Sequence, residues 1–220
     1  MSARFSFEQE LESLNHDLIQ MGELIEAAID KVIKAFKEQD DELANEIIKG
    51  DRTVNDMERV IESKCLSLIL RQQPVAKDLR IVTTALKVVT DMERIGDHAA
   101  DISELVIRIR NTNAYDFVKP IPKMATVAKQ MVHRAVESFI KCDVEGARET
   151  MKMDDQVDDL FNQVKADVIA MLQTSGVHAD SCIDVLMIAK YMERIGDHAV
   201  NICEWTEFHE TGALKNIRIL

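Results

Sequence analysis

Turn-forming residues are scarce in this chain of 220 residues, which has seven glycines and three prolines, and aromatic side chains make up only 5% of it. So little punctuation, beside an abundance of Leu, Ile, Val, Met, Ala, Glu and Lys, is the profile of a nearly all-helical protein. Its length is enough to bury a sizeable core, as one compact unit or as two small halves. Basic residues are in deficit: 27 Lys and Arg stand against 39 Asp and Glu, for a net charge of −12. Nucleic-acid binding needs clustered cations to neutralise phosphates, so that partner is excluded and a cation or a basic protein patch is favoured. No run approaches the roughly 18 uncharged apolar residues that span a bilayer, and Met1–Glu10 lacks an apolar signal core. The expectation is a cytoplasmic protein that meets a membrane only through partners. Cys65, Cys142, Cys182 and Cys203 show no Cys-x-x-Cys spacing, so buried or free reduced thiols are a better reading than zinc or disulfides. A Gly-x-x-x-x-Gly-Lys phosphate loop, a Gly-x-Ser-x-Gly elbow and a His-Glu-x-x-His zinc motif are all missing.

What the chain does have is a duplication. The octapeptide Met-Glu-Arg-Ile-Gly-Asp-His-Ala stands at Met92–Ala99 and again at Met192–Ala199, an offset of 100. Upstream, Asp40, Glu42, Ala44, Glu46, Lys49, Asp51 and Val54 recur as Asp143, Glu145, Ala147, Glu149, Lys152, Asp154 and Val157 at an offset of 103. The three-residue difference belongs to a turn, where Arg71–Ala76 faces Thr174–Val177.

Each repeat reads as three long helices. Ser6 with Gln9 offers a capping box for a helix to about Gln39, carrying Leu11, Leu14, Leu18, Met21, Ile25, Ala28, Val32 and Phe36 on one stripe. A second helix is expected over about 41–71, and Pro74 suits the first turn of a third. That third helix has Val82, Leu86, Val89, Met92, Ile95, Ala99, Ile102 and Val106 as its apolar face. After a linker at 111–122, helices are expected near 122–142, 144–173 and 179–208. The predicted fold is all-α: two tandem pseudo-symmetric three-helix bundles, residues 1–112 and 113–220.

At about 100° per residue, Glu93, Asp97 and Glu104 lie opposite the apolar stripe, and Glu193, Asp197 and Glu204 repeat the layout. A solvated face is the bland reading of any such pair. However, acids at i and i+4 repel by roughly 0.2 to 0.5 kcal/mol, and both repeats keep this pair, which favours a cation site. Asp51 and Asn55, with Glu58 one turn on, line the facing edge of the second helix; Asp154 and Asp158 do so in the other repeat, where Phe161 replaces Glu58. Asp101 is a further candidate ligand, replaced by Asn201 in the second repeat. All-oxygen ligation suits Mg²⁺, Mn²⁺, Ca²⁺ or iron, whereas zinc normally recruits His or Cys. Gly96 and Gly196 each cost about 1 kcal/mol against Ala inside a helix, which predicts close helix approach. Arg94 and Arg194 read as local ion-pair partners, and His98 and His198 as structural. A carboxylate-bridged enzyme of the ferritin type would need Glu-x-x-His, but Gly96 and Gly196 occupy the histidine position. Such an enzyme and a metal-free helical adaptor are the alternatives to a metal-binding regulator.

Arg71-Gln-Gln-Pro-Val-Ala-Lys-Asp-Leu-Arg80, leading into Asp91–Ala99, together with the second Glu193–His198 word, closely resembles the PhoU family over essentially the whole chain. The resemblance implies a cytoplasmic, usually dimeric regulator that links a phosphate ABC transporter, through its ATPase subunit, to a sensor histidine kinase. It also implies iron or zinc clusters on the acidic faces, a role that falls here on Glu93, Asp97, Glu193 and Asp197, then on Asp51, Asn55, Asp101, Asp154 and Asp158.

Overall fold

The computed structural model describes residues 3–109, 119–173, 179–214 and 217–218. Its elements in chain order are α1 (Ala3–Glu38), α2 (Asp41–Gln72), α3 (Lys77–Arg108), α4 (Ile121–Lys141), α5 (Val144–Met151), α6 (Asp154–Leu172) and α7 (Ala179–Thr211). A two-residue antiparallel ladder, β1 (Ala213–Leu214) with β2 (Ile217–Arg218), follows α7. Among the described residues the fold is all-α apart from that ladder. The expected boundary between residues 112 and 113 falls outside the described residues.

The two repeats turn their first corner in the same way. Gln39 and Cys142 both take the left-handed conformation, at φ 54° and 55°, and the next N–H reaches back five residues, from Asp40 to Ala35 O at 3.1 Å and from Asp143 to Ser138 O at 2.8 Å. This is the Schellman closure, which satisfies carbonyls that a helix end leaves free. Asp40 and Asp143 then cap the next helix by accepting from Leu43 N and Gly146 N, each at 3.0 Å.

Three local expectations are corrected. Ser6 is not a cap, because α1 already runs from Ala3: Phe7 is buried, and Arg4 pairs with Glu8 at 2.8 Å and with Asp78 of α3 at 2.7 Å. Pro74 precedes α3 rather than opening it, since Gln73 ends α2 in the left-handed region and Ala76 also has positive φ (47°) before the helix resumes. The expected helix over 144–173 is two helices, with a tight turn at Lys152–Met153 between α5 and α6. There Met153 N bonds to Thr150 O at 3.0 Å, while the Thr150 hydroxyl bonds back to Gly146 O at 2.8 Å; such back-bonding bends helices.

α1, α2 and α3 form one bundle and α4, α5, α6 and α7 the other, joined mainly where α3 lies along α7 and secondarily where α1 meets α4. The core follows the predicted stripes, with Leu14, Leu18, Met21, Ile25, Met92, Ile95 and Ile102 all buried. At about 1.5 to 3 kcal/mol per fully buried large side chain, this packing dominates the favourable side of folding. α3 buries more than one stripe, adding Ala85, Val88 and His98, because it packs against α1, α2 and α7 together.

Candidate functional site

In each repeat the glycine of the duplicated word sits at a close approach of two helices. A Cβ built on Gly96 would lie 2.9 Å from Val54 Cγ1 and 3.6 Å from Asp51 Oδ1, and one on Gly196 would lie 3.2 Å from Asp154 Oδ1. At Gly96 only a hydrogen lets α2 approach α3 this closely, whereas at Gly196 an added methyl would require the Asp154 carboxyl to turn aside. The approach turns two edges of acidic residues into a groove.

The first groove is lined by Asp51, Asn55 and Glu58 from α2 and by Glu93 and Asp97 from α3, all partly buried. Burial, then the Asp97 charge across the groove, pushes the Asp51 carboxyl above its ordinary range. Glu58 is raised by burial and by Glu93, and Glu93 by burial and by Asp97. Asn55 Nδ2 donates to Asp51 Oδ2 at 2.9 Å, which leaves Asp51 Oδ1 and Asn55 Oδ1 buried without hydrogen-bond partners. Arg94 supplies a cation, its Nη1 donating to Asp97 Oδ2 at 2.8 Å and its Nε lying 3.5 Å from Glu93. Asp101 stands at the rim, half exposed, its Oδ2 3.4 Å from His98 Nδ1.

The second groove repeats this plan with altered parts. Asp154 is raised to about 6, by burial and then by Asp158, Asp197 and other acids, and its Oδ1 is buried without a partner. Asp158 and Asp197 are exposed as residues, but partial burial of the Asp197 carboxyl, followed by Glu193, still raises it. Lys190 takes the place of Arg94 as counter-charge, pairing with Glu193 while lying 5.5 Å above the Phe161 ring. Asn55 in place of Asp158 and Glu58 in place of Phe161 cancel in charge, so each groove keeps four carboxylates with one of them moved by a turn. Asn201, the counterpart of Asp101, bonds Asp91 of α3 at 3.0 Å.

The sequence-based candidates therefore assemble as two groups in which Asp51, Asn55, Glu93, Asp97, Asp101, Asp154 and Glu193 are partly buried, while Asp158 and Asp197, like Glu104 one turn further along, are exposed. Orphaned buried oxygens on Asp51, Asn55 and Asp154 fit a cation, which would supply the missing partner. Among the described residues, however, no three groove carboxylates bring ligand atoms within 4.8 Å of one another. Sequence reasoning missed Lys190 and the joining network around Asp91, His198, Asn201 and Trp205; Asp91 gave no signal because Tyr191 is its repeat partner.

Comparison with known proteins agrees with this duplicated layout. Residues 18–106 and 121–206 each match the PhoU domain. The phosphate-specific transport system accessory protein PhoU homolog of Clostridium acetobutylicum is 37% identical over 94% of both chains, and PhoU of Escherichia coli is 30% identical over 94% of this chain and 86% of its own. The crystal structure of the phosphate transport system regulatory protein PhoU from Streptococcus pneumoniae superposes with a TM-score of 0.87 at 26% identity, over 94% of this chain and 98% of that one. With two matched domains, both repeats and the whole helical architecture accounted for, this chain belongs to the PhoU family.

Proposed function

We propose that this protein is a regulator of cellular phosphate homeostasis that restrains phosphate uptake and phosphate-starvation signalling by binding the ATPase subunit of a phosphate ABC transporter and a sensor histidine kinase. Family membership carries this reading: the relatives are named as accessory or regulatory proteins of phosphate transport. Regulation of phosphate transport is the role that membership gives the chain, and the negative sign and the two partners are the proposed part. No helix of the described residues is long and apolar enough to cross a membrane, so a transporter would be engaged through the surface of the bundles. A cytoplasmic homodimer without catalytic activity completes the reading.

The carboxylate grooves would hold cations. In the first, Asp51, Asn55, Glu93 and Asp97 would be the donors, with Asp101 at the rim; in the second, Asp154, Asp158, Glu193 and Asp197. Oxygen donors of this kind suit Mg²⁺, Mn²⁺ or iron, with zinc less favoured. A bound cation would offset the repulsion among the four carboxylates of a groove and fix the spacing of the two helices that carry them.

The decisive test is a deletion strain carrying a phosphate-starvation reporter. Reporter expression should stay high in phosphate-rich medium and fall when the gene is restored. Normal repression in the deletion strain refutes the regulatory reading, and failure to recover transporter ATPase or kinase by cross-linking in replete cells refutes the partners.

A further inference from the structure

Away from both grooves, the corner that ends α4 carries a second kind of chemistry. Cys142 Sγ lies 3.5 Å from His209 Nδ1, and the same nitrogen lies 3.7 Å from Glu210 Oε1. Among the described residues this is the one set of three His, Cys, Asp or Glu side chains whose ligand atoms all fall within 4.8 Å of one another. His209 is 5% exposed, its ring tilted against Phe139 at 6.0 Å, and its Nε2 is buried with no hydrogen-bond partner. The imidazole therefore directs its only engaged polar atom, Nδ1, at Cys142 and Glu210.

The backbone under these side chains is held from the other repeat. Arg80 Nε donates to His209 O at 2.8 Å and Arg80 Nη2 to Glu210 O at 3.3 Å, while Lys77 Nζ lies 3.6 Å from Glu210 Oε2. The matching corner of the first repeat has the same left-handed turn but carries Gln39 where Cys142 stands and Ile109 where His209 stands. The corner is duplicated and its side-chain chemistry is not, so closing the turn does not itself call for a thiol and an imidazole.

We propose that Cys142, His209 and Glu210 form a binding site for a zinc-class divalent ion, distinct from the carboxylate grooves. Zinc–sulfur and zinc–nitrogen bonds of about 2.3 and 2.0 to 2.1 Å at a tetrahedral angle place S and N roughly 3.5 Å apart, which is the separation found. A thiol, an imidazole and one carboxylate are the borderline-soft set that favours zinc over the hard ions suited to the grooves. Burial keeps the His209 imidazole below its ordinary value, so it is neutral and its lone pair is available at neutral pH. Burial and the Glu210 charge hold the Cys142 thiol protonated in the ion-free chain. As the sulfur–metal bond forms, that proton passes to solvent; no electron is transferred, the ion stays divalent, and water fills the fourth position. Occupancy would tie the ends of α4 and α7 together beside the first turn of α3.

Cobalt(II) tests this on the full-length protein, because thiolate ligation produces a near-ultraviolet sulfur-to-cobalt charge-transfer band that oxygen ligands cannot give. The band should saturate at one equivalent of cobalt per chain, disappear in Cys142→Ser, weaken in His209→Gln, persist in Asp97→Asn and Asp197→Asn, and be displaced by zinc. A second readout needs no variant: zinc, but not magnesium, should slow alkylation of Cys142 by about tenfold or more, since the metal-held thiolate is withdrawn from reaction. Cys65, Cys182 and Cys203 are buried and would not obscure the labelling. Absence of the band in the wild-type chain, its persistence in Cys142→Ser, or alkylation unaffected by zinc overturns the proposal.

Discussion

His198 Nδ1 meets Asp91 Oδ1 at 2.8 Å across the seam where α7 lies along α3. The same carboxylate accepts from Asn201 Nδ2 at 3.0 Å and from Trp205 Nε1 at 3.2 Å, so one acid of the first repeat satisfies three donors of the second. The repeat partner of Asp91 is Tyr191, which instead packs its ring 5.3 Å from that of His98. One half of the seam is thus polar and the other aromatic, and the duplicated His98 and His198 serve the joint between repeats rather than the grooves.

Replacing Asp91 with Ala strands three partly buried donors and should destabilise the protein by about 2 to 4 kcal/mol. Urea unfolding gives the value. A loss below 0.5 kcal/mol would mean that the seam is held by apolar packing alone.

Gly96→Ala and Gly196→Ala should differ in severity. Alanine gains about 1 kcal/mol of helix propensity at either position. At Gly96 the new methyl meets Val54, a stiff β-branched side chain, at 2.9 Å, and overpacking of about 1 to 3 kcal/mol outweighs that gain. At Gly196 the contact is Asp154 Oδ1 at 3.2 Å, an oxygen on a rotatable carboxyl. Denaturation of the two variants side by side should therefore rank Gly96→Ala as clearly the less stable.

The helical fold, the duplication and the acidic candidates were legible because each has a short-range signature: a period of 3.6, an exact repeat, an i, i+4 pair. Most of the rest was not, for reasons that particular residues make plain. The break at Lys152–Met153 has no glycine or proline to announce it, only Thr150, whose hydroxyl turns back onto its own helix. Whether Glu93 faces solvent or a groove depends on how closely a second helix packs, which the spacing of residues within one helix does not encode. Gly96 and Gly196 hinted at that closeness. The Asp91 seam and the Cys142–His209–Glu210 corner join residues more than 60 positions apart without any repeat symmetry, so no periodicity could disclose them.

Asp154 gives the chelated protein a pH dependence of definite sign. Its folded-state value, about 6, lies above its ordinary 3.8, so the folded chain binds the proton more tightly than the unfolded one. The penalty for ionising it is absent below about pH 4, grows between the two values and is complete above about pH 6, so stability falls as pH rises through that window. After allowance for solvent screening the effect is about 1 kcal/mol. Asp154→Asn should flatten this part of the profile measured in the presence of chelator. An unchanged slope between pH 4 and 7 would show that Asp154 titrates normally.

The grooves themselves are tested by exchanging acids for amides, which keeps size and hydrogen-bonding capacity while removing charge. In chelator-treated protein, Glu93→Gln with Asp97→Asn removes the i, i+4 repulsion in the first groove, and Glu193→Gln with Asp197→Asn does the same in the second; each double variant should be more stable than the wild type by a few tenths of a kcal/mol. Adding Mn²⁺ should reverse the order. An ion that binds only the folded chain stabilises it by RT ln(1 + [L]/Kd), about 2.7 kcal/mol at a hundredfold excess over Kd. Only the wild type can collect that gain at both grooves, and each variant should lose its own share. The paired measurement separates two roles for the acids: stabilisation of both variants with no response to Mn²⁺ in the wild type would make them merely a repulsive surface, whereas a wild-type response that neither double variant reduces would place the cation elsewhere.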